Sequence, residues 1–330
     1  MSDFTTLVDL AAERYGGAAV AANDEFFGPK ENLLRESDPV WREGEYTERG
    51  KWMDGWETRR RREVGHDWCI VRLGFAGIIR GVVVDTTHFR GNSPEHCSLE
   101  ACDASPAAGA DYLATGARWV PILTKTPLEG NARNLFPIGS DRRWTHVRLN
   151  IFPDGGVARL RVHGEVVPDW DRLLRAGGWI DLAAMENGGR IVAQSDAFFG
   201  SAFRMLQPGR ATHMGDGWET RRRRGPGHDW AVVKLARRGV IRRIEVDTDH
   251  FRGNAPGACS LEACVDESDV PGEDARWLPL LAQTKLQPHA RHGFERELSA
   301  AGEATHVRLN IFPDGGIARL RLLGSVANEP

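Results

Sequence analysis

Two blocks of charged residues are written twice in this chain of 330 residues. Asp54 to Arg62 reads D-G-W-E-T-R-R-R-R, and so does Asp216 to Arg224; G-H-D-W follows at Gly65 to Trp68 and at Gly227 to Trp230. H-F-R-G-N stands at His88 to Asn92 and again at His250 to Asn254. An arginine presents a planar fork that takes a carboxylate through two parallel hydrogen bonds, so Arg59, Arg90, Arg221 and Arg252 are candidate anion holders. Glu57, His66, Asp67 and His88, with Glu219, His228, Asp229 and His250, are candidates for proton transfer. Asn92, Asn150, Asn254 and Asn310 can orient a polar ligand by donating and accepting together.

Each of these has a plainer reading. Four consecutive arginines alternate faces on an extended segment, so at most half converge on one ligand; the others are solvated or paired with Asp54 or Glu57. Adjacent His66 and Asp67 point apart for the same reason. Strand parity continued from Val82 and Val84 puts His88, and likewise His250, on the core-facing side, where histidine more often holds structure than moves protons. Asn150 and Asp154, with Asn310 and Asp314, are expected in a hairpin whose turn they cap. Trp56, Trp68, Trp218 and Trp230 are expected to anchor the core, with ring N–H groups tied to backbone.

The elements that must position these residues come from a duplication. T-H-V-R-L-N-I-F-P-D-G-G at Thr145 to Gly156 recurs unchanged at Thr305 to Gly316, an offset of 305 − 145 = 160. The arginine block repeats at 216 − 54 = 162, and D-L-A-A at Asp9 and Asp181, with F-F-G at Phe26 and Phe198, repeats at 172. Changes of offset put insertions before Trp52 and between Cys102 and Thr145, in segments expected to be surface loops. Two domains follow, residues 7–166 and 179–326, joined by a linker at 167–178 in which Asp169 to Arg175 is expected to form a short helix between them. Ile78 to Asp85 and Val240 to Asp247 keep apolar residues at Val82, Val84, Ile244 and Val246, which reads as a strand with one buried face. Val147 to Phe152, P-D-G-G and Val157 to Val162 read as a β-hairpin. Amphipathic helix is expected only near Asp9 and Asp181, each stopped by Gly-Gly. Many short strands without alternating helices give an all-β class, two tandem jelly-roll sandwiches.

Composition narrows the function classes. The 43 Lys+Arg are outweighed by 46 Asp+Glu, for a net charge of −3, so no nucleic-acid partner is expected and R-R-R-R is not read as a nuclear or nucleic-acid patch. The amino-terminal M-S-D-F-T-T-L-V-D-L-A-A-E-R-Y-G-G has no basic-then-apolar leader, and no apolar run approaches bilayer length, which predicts no membrane partner and a cytoplasmic protein. Cys69, Cys97, Cys102, Cys259 and Cys264 are odd in number. Residues five apart on a strand face opposite ways, so Cys97 and Cys102 cannot bridge, and all five are expected as buried thiols. No H-x-x-x-H, H-E-x-x-H or close Cys/His set occurs, so no cofactor is assigned; a divalent metal ion assembled from separated loops stays open.

The ordered, duplicated set M-D-G-W-E-T-R-R-R-R (its leading Met in the first copy alone), G-H-D-W, V-D-T-x-H-F-R-G-N and R-L-N-I-F-P-D-G-G resembles the allantoicase family over nearly the whole chain. The first copy departs from the second in carrying Glu63-Val64 where the second has Gly225-Pro226. The resemblance implies tandem galactose-binding-like jelly rolls, an oligomeric enzyme of ureide (purine) catabolism, and hydrolysis of allantoate to ureidoglycolate and urea. Allantoate carries a carboxylate and two ureido groups on one tetrahedral carbon. Such a reaction needs a cationic fork for the carboxylate, a general acid for departing urea and a base for water. The alternative is a non-catalytic carbohydrate-binding jelly-roll module; it predicts an exposed aromatic platform and a secretory signal, whereas these aromatics sit among charges. Retention of the polar motifs in both copies favours a site built from both, over two equivalent sites or one site plus a relic.

Overall fold

One strand of nineteen residues organises each repeat in the computed structural model, which describes residues 4–327; Met1, Ser2 and Asp3 of the amino-terminal stretch lie outside them. The chain divides between Pro168 and Asp169 into two compact units. The first contains β1 (Val8–Asp9), β2 (Ala18–Ala22), β3 (Tyr46–Thr47), β4 (Gly50–Lys51), β5 (Trp56–Glu57), β6 (Asp67–Asp85) and β7 (His96–Cys102), then helix α1 (Ala110–Thr115). It continues through β8 (Val120–Pro127), β9 (Arg133–Pro137), β10 (Arg143–Phe152), β11 (Gly156–Val157) and β12 (Arg159–Val166). The first half of β6 pairs with β2 and β10, and β10 leads on to β7 and β8. The second half pairs with β12 and β9, and β12 carries β1 at its edge. The strand therefore belongs to both layers of a jelly-roll sandwich. Gly77 lies where it passes from one to the other. A Cβ there would stand 2.2 Å from the Glu165 carbonyl oxygen and part β6 from β12.

The second unit repeats this with β13 (Ile180–Asp181), β14 (Arg190–Gln194), β15 (Trp218–Glu219), β16 (Asp229–Asp247), β17 (Ala258–Cys264), β18 (Leu278–Lys285), β19 (Arg291–Phe294), β20 (Glu303–Phe312), β21 (Gly316–Ile317) and β22 (Arg319–Val326). Alternation decides burial. Along β7, Cys97, Leu99 and Ala101 are buried between the layers, while Ser98 and Glu100 are only half-covered on the outer face. All five thiols are free and buried. Burial pushes Cys97 and Cys259 up to about 12 and Cys102 and Cys264 up to about 11, leaving them protonated and inert.

Three expectations are corrected. The Val147–Val162 segment is not a hairpin, because β10 and β12 lie on either side of β6 and do not pair with each other. P-D-G-G carries the chain across the sandwich, and β11 pairs with β5 instead. Gly156 is required there because a Cβ would stand 2.0 Å from the Phe89 ring. The Asp9 and Asp181 segments are not amphipathic helices either. Asp9 Oδ1 accepts from Ala11 N and from Val162 N, tying the chain to β12 as a short strand, and Asp181 does the same with Ala183 N and Leu322 N. Finally, the segment after Cys102 is more than a loop: Leu113 of α1 packs on Ile70 and Cys102, roofing part of the outer face. The linker helix is α2 (Trp170–Ala176), capped by Asp169, whose side chain accepts from Arg172 N.

His146 on β10 is fully buried, its Nδ1 lies 2.9 Å from Thr145 Oγ1, and its Nε2 has no partner. Burial and the nearby Arg72 charge hold its pKa down to about 4. Unfolded, the ring takes a proton near 6.5; folded, it does not until about 4. Stability is therefore full above pH 6.5 and falls as pH drops toward 4. Urea melts across that range should show the loss, and His146→Gln should flatten it; identical slopes for both proteins would exclude His146 as its source.

Candidate active site

Glu57 is placed by backbone before its side chain is considered. Trp56 is fully buried and donates from Nε1 to Asp24 O at 2.8 Å. On either side of it, Glu57 bridges to Gly28 and pairs with Gly156, while Thr58 N donates to Gly155 O. The Glu57 carboxyl is then 9 % exposed, with Oε1 accepting from Asn92 Nδ2 at 2.8 Å. Asn92 is fixed in turn by its carbonyl, which accepts from Gly156 N. Burial pushes the Glu57 carboxyl above the ordinary carboxylate range, against the weaker opposing effect of Asn92. In the second repeat Asn254 Nδ2 donates to Glu219 Oε1 on the same scaffold, and Trp218 donates to Asp196 O.

The arginine block sorts itself by alternation. Arg59 pairs with Asp24 at 2.9 Å and lies over the Phe26 ring, and Arg61 pairs with buried Asp67 at 2.6 Å while its amide donates to Asp154. In the second repeat Arg221 meets Asp196 and Phe198, and Arg223 meets Asp229 and Asp314. The expected partners Asp54 and Glu57 are not used. Asp54 belongs instead to Arg159 at 2.7 Å, with both side chains buried, and to Arg35 at 3.1 Å. Among the described residues Arg60, Arg62 and Arg90 are exposed with no partner, whereas Arg252 has only His289 Nε2 at 3.4 Å.

His88 and His250 are not core-facing. β6 and β16 end at Asp85 and Asp247, and each histidine sits in the following turn at φ of 72° and 70°. Phe89 and Phe251 enter the core in their place. His88 Nε2 lies 3.2 Å from Pro39 O and His250 Nε2 3.0 Å from Ala211 O, so each ring pins the loop preceding the arginine block. Asp67 and Asp229 are equally committed, Asp67 to Arg61 and Asn23, Asp229 to Arg223 and Ser195.

The remaining candidates sit on the outer sheet face. Asn150 is in β10 opposite Trp68 and Ser98, so it caps no turn; Asp154 performs that task through Arg61 N. Asn150 Nδ2 donates to Ser98 Oγ and Glu100 Oε2, and Arg148 donates to the same Glu100 oxygen while lying over Trp119. Ser260, Glu262, Trp277, Arg308 and Asn310 reproduce this in the second repeat. His66 and His228 lie tilted against Phe152 and Phe312 at its rim. Burial, together with Arg148 and Arg61, lowers the His66 pKa. Trp68 and Trp230 are half-buried here, and Trp68 packs against the Ile70, Cys102 and Leu113 cluster. Glu100, Arg148 and their copies were missed although both lie in exactly repeated motifs, because C-S-L-E-A-C was read for its thiols. Spacing by two from Ser98 and Asn150 was the available signal.

Among the described residues no three His, Cys, Asp or Glu side chains come together to hold a metal ion. No helix among them is long and apolar enough to cross a membrane.

The Allantoicase repeat family model matches residues 8–167 and 180–327. A probable allantoicase 2 from Burkholderia pseudomallei is 49 % identical over 324 residues, covering 97 % of this chain and 95 % of the relative. An allantoicase from Dictyostelium discoideum is 46 % identical over 320 residues, covering 95 % and 86 %. The crystal structure of allantoicase from Saccharomyces cerevisiae superposes with a TM-score of 0.78 at 37 % identity, covering 97 % of this chain and 93 % of that one.

Proposed function

The chain belongs to the allantoicase family and hydrolyses allantoate to ureidoglycolate and urea, and we propose that the chemistry takes place at the loop end of the sandwich, around Glu57 and Asn92. The observation that carries this is the Glu57 carboxyl, buried, raised in pKa and oriented by a single amide. Protonated Glu57 gives its proton to the departing urea nitrogen as the C–N bond breaks. The lone pair of the remaining ureido nitrogen supports the cationic carbon. Water then adds and returns a proton to the Glu57 carboxylate, so one group serves as acid and base. Arg90, two residues before Asn92 and without a partner among the described residues, takes the substrate carboxylate, with Arg60 or Arg62 as a second fork. His88 positions the loop before the arginine block.

The second repeat keeps Glu219, Asn254, Arg252 and His250, but Glu219 is only half-buried and Arg252 meets His289, so we assign the reaction to the first repeat. His66, Asn150 and their copies stand on the neighbouring face. The net charge of −3 disfavours nucleic acid. A cytoplasmic homo-oligomer, with domains 7–166 and 179–326 about the 167–178 linker, completes the reading. The test is incubation with allantoate with and without a chelator. Urea and ureidoglycolate should appear in equal amounts without the chelator, and the chelator arm decides whether a divalent ion takes part. No urea in either arm overturns the assignment, and loss with chelator alone requires a metal.

A further inference from the structure

The outer face of each sandwich carries more structure than a solvated sheet needs. Polar residues facing water can remain independent, yet two adjacent strands here contribute side chains to one interlocked group. Glu100 Oε2 receives Arg148 and Asn150 together, and Glu262 Oε2 receives Arg308 and Asn310. Because a carboxylate only accepts, the amide nitrogen of each asparagine must face it, and the amide oxygen must face away. Asn150 Oδ1 is buried and has no partner, in a residue only 4 % exposed. Its counterpart in the second repeat meets His228 Nε2 at 3.3 Å. A buried acceptor left open costs about 1–3 kcal/mol unless a donor reaches it.

The space around these atoms is a groove of about 510 Å³ in the second repeat, lined by Trp230, Glu262, Arg308, Asn310 and His228 among others. Glu262 lines it with the carboxylate oxygen Oε1 that the arginine does not engage, the Asn310 amide oxygen is met there by His228 Nε2, and the open amide oxygen is that of Asn150 on the same face of the first repeat. The arginine neutralises the carboxylate, so a cation gains little. Trp230 presents a flat wall, and Arg308, which also lines the groove, lies over the Trp277 ring at 4.6 Å. We propose that each repeat holds, on this face, a second ligand site separate from the Glu57 end, which takes a neutral planar molecule offering paired N–H donors, of the ureide class.

Hydantoin, a cyclic ureide, is the probe. Calorimetry and tryptophan fluorescence on the full chain should show saturable binding at two sites per chain. Glu100→Gln with Glu262→Gln should weaken it at least tenfold, because the freed carboxamide turns an N–H toward the ligand where an acceptor is needed. Trp68→Leu with Trp230→Leu should weaken it similarly and serves if the first pair misfolds. Glu57→Gln should leave binding unchanged, which separates this site from the catalytic end whatever the fate of that assignment. Absence of saturable binding, survival of binding in both paired variants, or its loss in Glu57→Gln would each overturn the proposal.

Discussion

Glu57→Gln is expected to lower kcat for allantoate by roughly 100- to 10,000-fold with KM changed only a few-fold, the loss typical of a removed general acid–base. Glutamine keeps an oxygen for Asn92 Nδ2 and the same volume, so the site should survive. Because burial raises this carboxyl, the acid form persists to higher pH than for an exposed glutamate, and wild-type turnover should fall as pH rises through that raised value. The sign for stability follows. A carboxyl whose folded pKa exceeds its unfolded one stabilises the fold at low pH and loses that contribution as pH rises through the folded value. Glu57→Gln should thus be at least as stable as wild type at pH 8 while being nearly inactive. Parallel measurement of Glu219→Gln divides the activity between repeats. Wild-type turnover in Glu57→Gln would remove Glu57 from the mechanism.

Asp54→Ala should be the most damaging single change to the first repeat, at about 3–5 kcal/mol, because it leaves Arg159 charged and buried. Arg159 also donates to Ser37 O, Asp54 O and Ala158 O, so its guanidinium has no route to water. Thermal melts should show the first repeat unfolding roughly 6–20 °C earlier. Burial alone would raise the Asp54 carboxyl, but the Arg159 hydrogen bond, the Val40 amide and the two arginine charges outweigh it and hold the pKa below the ordinary value. Its contribution is therefore present at neutral pH and lost as pH falls through the depressed value. Asp54→Leu with Arg159→Met should recover much of the loss. A melt unaffected by Asp54→Ala would mean that the pair carries no net stability.

The duplication and the β-rich class were legible because internal repetition and alternation are properties of the chain itself. Trp56 and Trp218 were also legible, being large residues inside motifs. Pairing was not: Val147–Phe152 and Val157–Val162 have hairpin composition, but nothing local reveals that β6 lies between them. His88 was misplaced because parity holds only while a strand lasts, and β6 stops three residues earlier. The arginine partners were misassigned for a related reason. Asp54 lies closer in sequence to Arg59 than Arg159 does, yet the buried partner comes from β12. Glu57 stood out by type, whereas its raised pKa depends on burial that only the folded neighbours supply.

The strand common to both layers also governs the order in which a repeat can be made. β6 is complete once Asp85 has been synthesised, but β9, β10 and β12 all follow it, the last ending at Val166. The interval is 166 − 85 = 81 residues. At roughly 5–20 residues per second, an apolar strand with most of its edge unpaired must wait for several seconds on the ribosome. Each nascent chain meets such a wait twice, the second over 326 − 247 = 79 residues.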